Sequence, residues 1–306
     1  LSLEEDKLQK IVCAYLAEYA VKYFGEEQLE SNSFTYRLKT ILDNVMHLMK
    51  HIMEELSQSE FFVADCELKI GEDIPSYTIV LPDGHKIAVC GSVDRVDIMQ
   101  RADITYLRII DYKTGTKQFK LSDILYGINL QMLLYLHSIE ASGGDKYGEI
   151  VPAGILYMPA TVPYISSDSL KSIDKLPDEL NKKLKMNGLL LKDTEIIHGM
   201  DKTDVATYIP VKIKAGEPVS STSLATLAEF GKIFKKVDML IAEMGKNIYN
   251  GNIEAKPLKG GHDSCEYCPY DSVCAYRQSN PITCFSVDNK TVIEEITNEI
   301  NGKEEE

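Results

Sequence analysis

The sequence predicts an α/β protein in which a mixed sheet is flanked by helices. Three observations carry this. Apolar residues recur at helical spacing over two long segments at the start of the chain. The period then shortens towards two across the segments between residues 61 and 112. From residue 121 onward helical and strand-like segments alternate, the pattern of a sheet covered by helices.

Residues 3–24 place Leu8, Ile11, Val12, Tyr15, Leu16 and Tyr19 on one helical stripe. Residues 34–56 repeat the pattern with Leu38, Ile41, Leu42, Val45, Met49 and Ile52. Residues 61–70 and 77–81 read as strands, followed by the turn Pro82-Asp83-Gly84. Residues 86–99 and 106–112 complete an antiparallel meander. Residues 121–139 read as one helix, stopped by Gly143 and Gly144. Residues 150–158 form a buried-type strand, and 160–220 an irregular insert with a helix around 169–185. Residues 222–249 read as a long amphipathic helix. Residues 1–285 form one domain on this reading. Residues 286–306 are expected to be an acidic, partly disordered tail.

The formal net charge is −14. That balance argues against strong autonomous DNA binding, which draws its affinity from neutralised phosphates. It suits a carboxylate-rich metal site, or a module delivered to DNA by a larger assembly. No apolar run approaches the roughly 20 residues that span a membrane, and no signal sequence opens the chain, so a cytoplasmic setting is the default. No Gly-x4-Gly-Lys-Ser/Thr phosphate loop is present, so ATP hydrolysis is not expected of this chain.

The chemistry concentrates in Gly91-Ser-Val-Asp94-Arg-Val-Asp97 and Ile109-Ile-Asp111-Tyr112-Lys113. Strand alternation puts Asp111 and Lys113 on one face, and a neighbouring strand brings Asp94 beside them. Two carboxylates form a hard-oxygen site for Mg²⁺ or Mn²⁺, with the Tyr112 carbonyl as a third oxygen. Lys113 is placed to orient a water or to stabilise charge on a phosphate. An isolated Asp-x-Lys is usually a solvated edge-strand pair. The apolar flanks Val93, Val96, Ile109 and Ile110 argue for central strands instead. Asp97 falls on the opposite face from Asp94 and is expected to pair with Arg95 or Arg101. His47 and His51, four apart, read as helix residues rather than ligands.

Cys265-x2-Cys268-x5-Cys274 puts three thiols within reach of one centre, and either zinc or [4Fe–4S] suits the spacing. Cys13, Cys66 and Cys90 read as core residues.

Taken together, Gly-x-x-Asp-Arg-x-Asp, Ile-Asp-Tyr-Lys-Thr-Gly and Gly127-x3-Gln131-x3-Tyr135 resemble the PD-(D/E)XK nuclease domain of the RecB family. The resemblance is strongest to the C-terminal nuclease region of AddB-type chains of helicase–nucleases and covers roughly residues 35–275. Supporting stretches are 61–71, with Glu67, and 185–191. The resemblance implies a restriction-endonuclease-like fold with a C-terminal cysteine-cluster region. It implies that Asp94 and Asp111 bind the metal, that Lys113 is the catalytic lysine, and that Gln131 and Tyr135 lie near substrate DNA. Glu67 is a weaker candidate for the edge of the site. For Cys265, Cys268 and Cys274 it favours a [4Fe–4S] cluster whose fourth ligand, like the family's metal-binding His, lies upstream. The chain is therefore expected to hold no intact cluster. The implied activity is a Mg²⁺-dependent exonuclease acting on single-stranded DNA, with an AddA-type helicase/nuclease as partner, in double-strand-break repair and recombination. The competing readings are an inactive nuclease-fold scaffold and a small stand-alone CRISPR-associated nuclease.

Overall fold

The computed structural model describes residues 5–29, 31–115, 118–161, 176–220, 222–274, 276 and 281–304. The chain opens with three helices, α1 (Glu5–Phe24), α2 (Glu26–Leu29) and α3 (Asn32–Ser57). The strands β1 (Phe62–Ile70), β2 (Tyr77–Val80), β3 (Lys86–Val89), β4 (Gly91–Arg101) and β5 (Ile104–Lys113) follow. A 3-10 turn at Leu121–Tyr126 leads to α4 (Gln131–Ser142), α5 (Gly144–Tyr147) and β6 (Glu149–Pro159). Next come α6 (Leu176–Leu184), β7 (Asn187–Leu191), α7 (Thr194–Met200), β8 (Lys212–Lys214), β9 (Glu217–Val219) and β10 (Leu224–Ala225). The chain continues through α8 (Leu227–Tyr249), β11 (Leu258–Gly260), α9 (Asp271–Cys274), β12 (Ile282–Cys284) and α10 (Asn289–Glu304).

Six strands form the central sheet in the order β1-β4-β5-β6-β7-β10. The β1–β4, β4–β5 and β6–β7 pairs are antiparallel, whereas β5–β6 and β7–β10 are parallel. This is the mixed sheet that the alternation predicts. The middle strands β5 and β6 are apolar because helices cover them. Leu107, Ile109, Ile110, Leu156 and Met158 are all fully buried.

Several sequence readings are corrected. The meander is not continuous: β2 and β3 pair as a separate hairpin, and only β1, β4 and β5 join the sheet. The expected helix over 121–139 breaks in two, because Gly127 takes a left-handed backbone (φ 68°) and closes the 3-10 turn. Residues 222–226 are not helical, since Thr226 caps α8 through a reciprocal pair with Glu229. Residues 160–220 are more than an insert. They supply β7, whose Leu189 and Leu190 are fully buried. Of the helix expected over 169–185, residues 162–175 lie outside the described residues.

The acidic end is also not a tail over 289–304. It forms α10, which buries Val292, Ile296 and Ile300 in the main core. Their i, i+4, i+8 spacing makes one apolar stripe that the surrounding glutamates mask in composition. Cys13, Cys66 and Cys90 are exposed rather than core, while Cys284 is buried. Helix α1 buries only Leu8 and Ala20. Its expected stripe, including Tyr15 and Tyr19, is therefore largely open.

One polar group inside this core fixes the sheet. Arg95 donates to both oxygens of Asp97 at 2.7 Å and to Glu55 on α3 at 2.9 Å. Arg108 donates to Asp97 at 3.0 Å and to Glu55 at 2.5 Å. All four residues are at most 2% exposed. Two cations meet two carboxylates, so the buried charges cancel and their hydrogen bonds offset much of the desolvation cost. Asp97 thus pairs with Arg95, as expected, and with Arg108. Arg101 instead pairs with Glu60 and Glu195.

Candidate metal centre

The site forms where two central strands part. Backbone pairing of β4 with β5 runs from Arg101↔Ile104 to Arg95↔Ile110. One residue further, the Asp94 side chain takes over: its Oδ2 accepts the Tyr112 backbone N–H at 2.9 Å. A carboxylate thus replaces a ladder carbonyl and stands at the fork between the strands. On the other side of β5, pairing with β6 continues and sets Asp111 opposite Tyr157 and Lys113 opposite Pro159.

Asp111 is 8% exposed. Lys113 Nζ lies 2.5 Å from Asp111 Oδ2, with the lysine side chain 28% exposed. This is a charge contact without hydrogen-bond geometry, because Asp111 Oδ2 is buried and has no hydrogen-bond donor. A buried carboxylate oxygen without a donor is costly unless a cation supplies the missing interaction. Lys113 supplies part of it, and its Nζ also sits 5.6 Å from the Tyr157 ring centroid.

Tyr157 closes the inner wall and is 3% exposed. Burial first, then the negative charges of Asp111 and Asp123, push its hydroxyl up to about 12. Asp123 is therefore a third carboxylate acting on this pocket. Its Oδ2 accepts a hydrogen bond from Asn129 Nδ2 at 2.6 Å. The sequence reading missed both Tyr157 and Asp123. Neither lies in a motif; only the parallel register of β6 and the 3-10 turn bring them in.

Glu67 and Asp94 face each other across β1 and β4, between the pairs Cys66↔Arg95 and Leu68↔Val93. Glu67 has φ 55°, and its carboxylate accepts from Ser92 Oγ at 3.0 Å. It stands at the edge of the site, engaged with Ser92.

Gln131 and Tyr135 do lie on one helix face. Gln131 Nε2 donates to the Tyr135 hydroxyl at 3.4 Å. Tyr135 packs against Gly91, three residues before Asp94. A Cβ there would sit 2.6 Å from the ring Cζ. The glycine that opens β4 is thus a contact residue for α4. His51 is 6% exposed on α3, the helix that carries Glu55, and burial holds its imidazole below the usual value.

Among the described residues, no three His, Cys, Asp or Glu side chains gather as a metal-holding group. That applies to Asp94 and Asp111 and equally to Cys265, Cys268 and Cys274. The carboxylate pair nevertheless fits a divalent cation, since the donor-free Asp111 Oδ2 lies beside Asp94, and the remaining ligands would be the Tyr112 carbonyl and water. The three cysteines do not fit a cluster by themselves. Cys268 N–H turns back on the Cys265 carbonyl at 3.2 Å, and Cys274 is exposed.

The family model of the PD-(D/E)XK nuclease superfamily matches residues 2–275. The chain belongs to this superfamily. As a PD-(D/E)XK nuclease domain, it carries its two aspartates and lysine on adjacent central strands, at the fork described above. It is similar to the B subunit of the ATP-dependent helicase/deoxyribonuclease of Thermoanaerobacter sp. (strain X514), 38% identical over 246 residues, which covers 78% of this chain and 21% of that protein. The corresponding protein of Alkaliphilus oremlandii (strain OhILAs) is 34% identical over 281 residues, 87% of this chain and 24% of that protein. In Clostridium kluyveri (strain NBRC 12016) the values are 36% over 281 residues, 89% and 24%. The chain thus spans between a fifth and a quarter of the length of these relatives. No helix among the described residues is long and apolar enough to cross a membrane.

Proposed function

We infer that this PD-(D/E)XK domain is a metal-dependent deoxyribonuclease. In this reading it works as an exonuclease on single-stranded DNA within a helicase–nuclease for double-strand-break repair and recombination. One observation carries the reading. Asp94, Asp111 and Lys113 meet at the β4–β5 fork, and Asp111 keeps a buried oxygen without a hydrogen-bond donor. Mg²⁺ or Mn²⁺ held by Asp94, Asp111 and the Tyr112 carbonyl would polarise a phosphoryl oxygen and make a bound water more acidic.

The chain's own residues supply the rest. Asp94 is oriented by the Tyr112 N–H. Lys113 places a positive charge where charge develops on the phosphate, and its alternation with Asp111 fixes the distance between them. Tyr157 walls the pocket and excludes water from its inner side. Gln131 and Tyr135 offer a polar pair beside Gly91 for contact with substrate. The names of the relatives support an AddA-type helicase/nuclease partner that feeds the strand. Cysteine spacing supports a [4Fe–4S] role for Cys265, Cys268 and Cys274 with a fourth ligand from elsewhere. No step of the reaction runs through that cluster.

The absence of a three-ligand group among the described residues favours a second reading, an inactive scaffold that binds DNA or a partner protein. Cleavage of a labelled single-stranded oligonucleotide by the full-length protein in Mg²⁺ separates the two. The nuclease reading expects Asp111→Ala and Lys113→Ala to lose cutting by at least about 100-fold, the scale of removing a group that stabilises the transition state. Variants that cut as well as the parent, or a parent that does not cut, leave the scaffold reading standing.

A further inference from the structure

The protein is strongly acidic, yet one groove is lined by lysines. A cleft of about 490 Å³ is bounded by Lys182, Lys185 and Lys212, with Val219 and Ser220 at one end and no carboxylate in its lining. Val219 and Ser220 also border a second cleft of about 320 Å³, whose charged residues are Lys192, Lys290 and Glu229. The two form one groove. Glu229 is engaged as the capping partner of Thr226. Lys290 reaches Glu294 only at 3.7 Å, with its side chain 87% exposed. Lys185 donates to the Ala206 and Val211 carbonyls at 2.6 and 2.9 Å. Its ammonium is held below the usual lysine value by burial first and by Lys212 nearby, against the opposing pull of Asp201. The side chains of Lys182 and Lys212 make no ion pair among the described residues.

The groove starts beside the candidate metal centre. Lys185 stands two residues before Asn187, which pairs with Tyr157, which in turn pairs with Asp111. Asn187 is thus two strand spacings, about 10 Å, from Asp111 along the same row of the sheet. The segment that leaves Lys113 crosses to this place, where Phe119 N–H donates to Asn187 Oδ1 at 2.7 Å. From there the chain soon reaches Leu121, which lines the second cleft. Unpaired ammonium groups held close together in an acidic protein repel one another and raise the cost of folding, unless a polyanion is bound.

We propose that this lysine groove binds the phosphate backbone of a single DNA strand as it runs to or from the Asp94–Asp111 site. The proposal rests on the nuclease reading for its partner. Surface Lys182 and Lys212 would contact phosphates, while Lys185 holds the wall in place through its two carbonyl bonds.

The test is equilibrium binding of a fluorescent oligo-dT to the full-length protein in EDTA, over a series of salt concentrations. Single-strand contacts each contribute about 0.7 to the slope of log K against log salt, so Lys182→Gln with Lys212→Gln should lower the slope by about 1.4 and weaken binding several-fold. Thermal melting of the double variant should match the parent, because both side chains are exposed. An unchanged slope and affinity overturn the proposal. An unchanged slope combined with lost retention of the helicase partner also overturns it and gives the lysines to an acidic protein surface. Parallel assays in Mg²⁺ with Asp111→Ala keep the two ideas separate. If Asp111→Ala cuts like the parent while the double variant still loses slope, the nuclease reading fails and the groove stands.

Discussion

Asp94 receives the backbone N–H of Tyr112 at 2.9 Å, one residue beyond the last backbone pair of β4 and β5. The same tyrosine's hydroxyl accepts from Arg95 Nη1 at 3.3 Å. Neighbouring residues of β4 therefore hold Tyr112 at both ends, one through its backbone and one through its ring. The fork is a fastened junction, and the carboxylate at its tip inherits the rigidity of the buried charges behind it.

Asp94→Ala removes a charged acceptor from a half-buried N–H. It should cost about 1.5–3 kcal/mol in urea denaturation. Asp94→Asn keeps an oxygen acceptor and should lose clearly less stability, while cutting falls in both. Equal stability losses in the two variants would mean that the hydrogen bond to Tyr112 does not hold the fork.

The Glu55–Arg95–Asp97–Arg108 group should tolerate no single deletion. Asp97→Ala leaves two guanidinium groups short of a counter-charge in a site with no exposure, at about 3–5 kcal/mol. Soluble yield and chemical denaturation measure this. A loss below about 1 kcal/mol would show that water reaches the group.

Gly91→Ala forces the Tyr135 ring to move, since the new Cβ would lie 2.6 Å from Cζ. Overpacking of this kind costs about 1–3 kcal/mol. Tyr135→Ala in the same chain should recover most of it, and a double-mutant cycle by thermal melting reads the coupling. Additive losses would place the two residues out of contact.

His137 makes stability depend on pH. Burial disfavours its charged form, but Asp238 at 3.2 Å and Glu140 at 3.3 Å outweigh that and raise it to about 9. A raised value stabilises the folded state fully below the unfolded histidine value, near 6.5, and the contribution is lost as pH rises to about 9. Screening of the two partly exposed carboxylates leaves about 1–2 kcal/mol. His137→Gln should flatten the stability curve between those pH values. A parent curve already flat there would show that the carboxylates do not hold the proton.

Helix α10 should be required for stability. Ile296→Ala, at a fully buried position against the core, is expected to cost about 2–5 kcal/mol, measured by denaturation. A variant as stable as the parent would mean that the helix docks only loosely.

Much of this was readable in the residues. The alternation around Asp111 and Lys113, the apolar flanks of both strands and the helical stripe of α3 follow from local periodicity, which side-chain geometry imposes on neighbours in sequence. The same rule placed Gln131 and Tyr135 on one helix face. It misread 121–139, where a single left-handed Gly127 outweighs an apolar pattern. It misread 286–304, where a narrow stripe of three buried residues matters more than net charge.

The sequence by itself determined the fold class, the membership in a nuclease superfamily and the strand-borne aspartates and lysine, because each is written in short-range spacing. Only the tertiary structure decided that β4 and β5 part at Asp94, that Tyr157 and Asp123 act on Asp111, that Arg108 shares Asp97 with Arg95, and that lysines from α6 and β8 line one groove. These depend on register between strands and on packing between distant segments. Such relationships form when the chain closes on itself, and no local pattern encodes them.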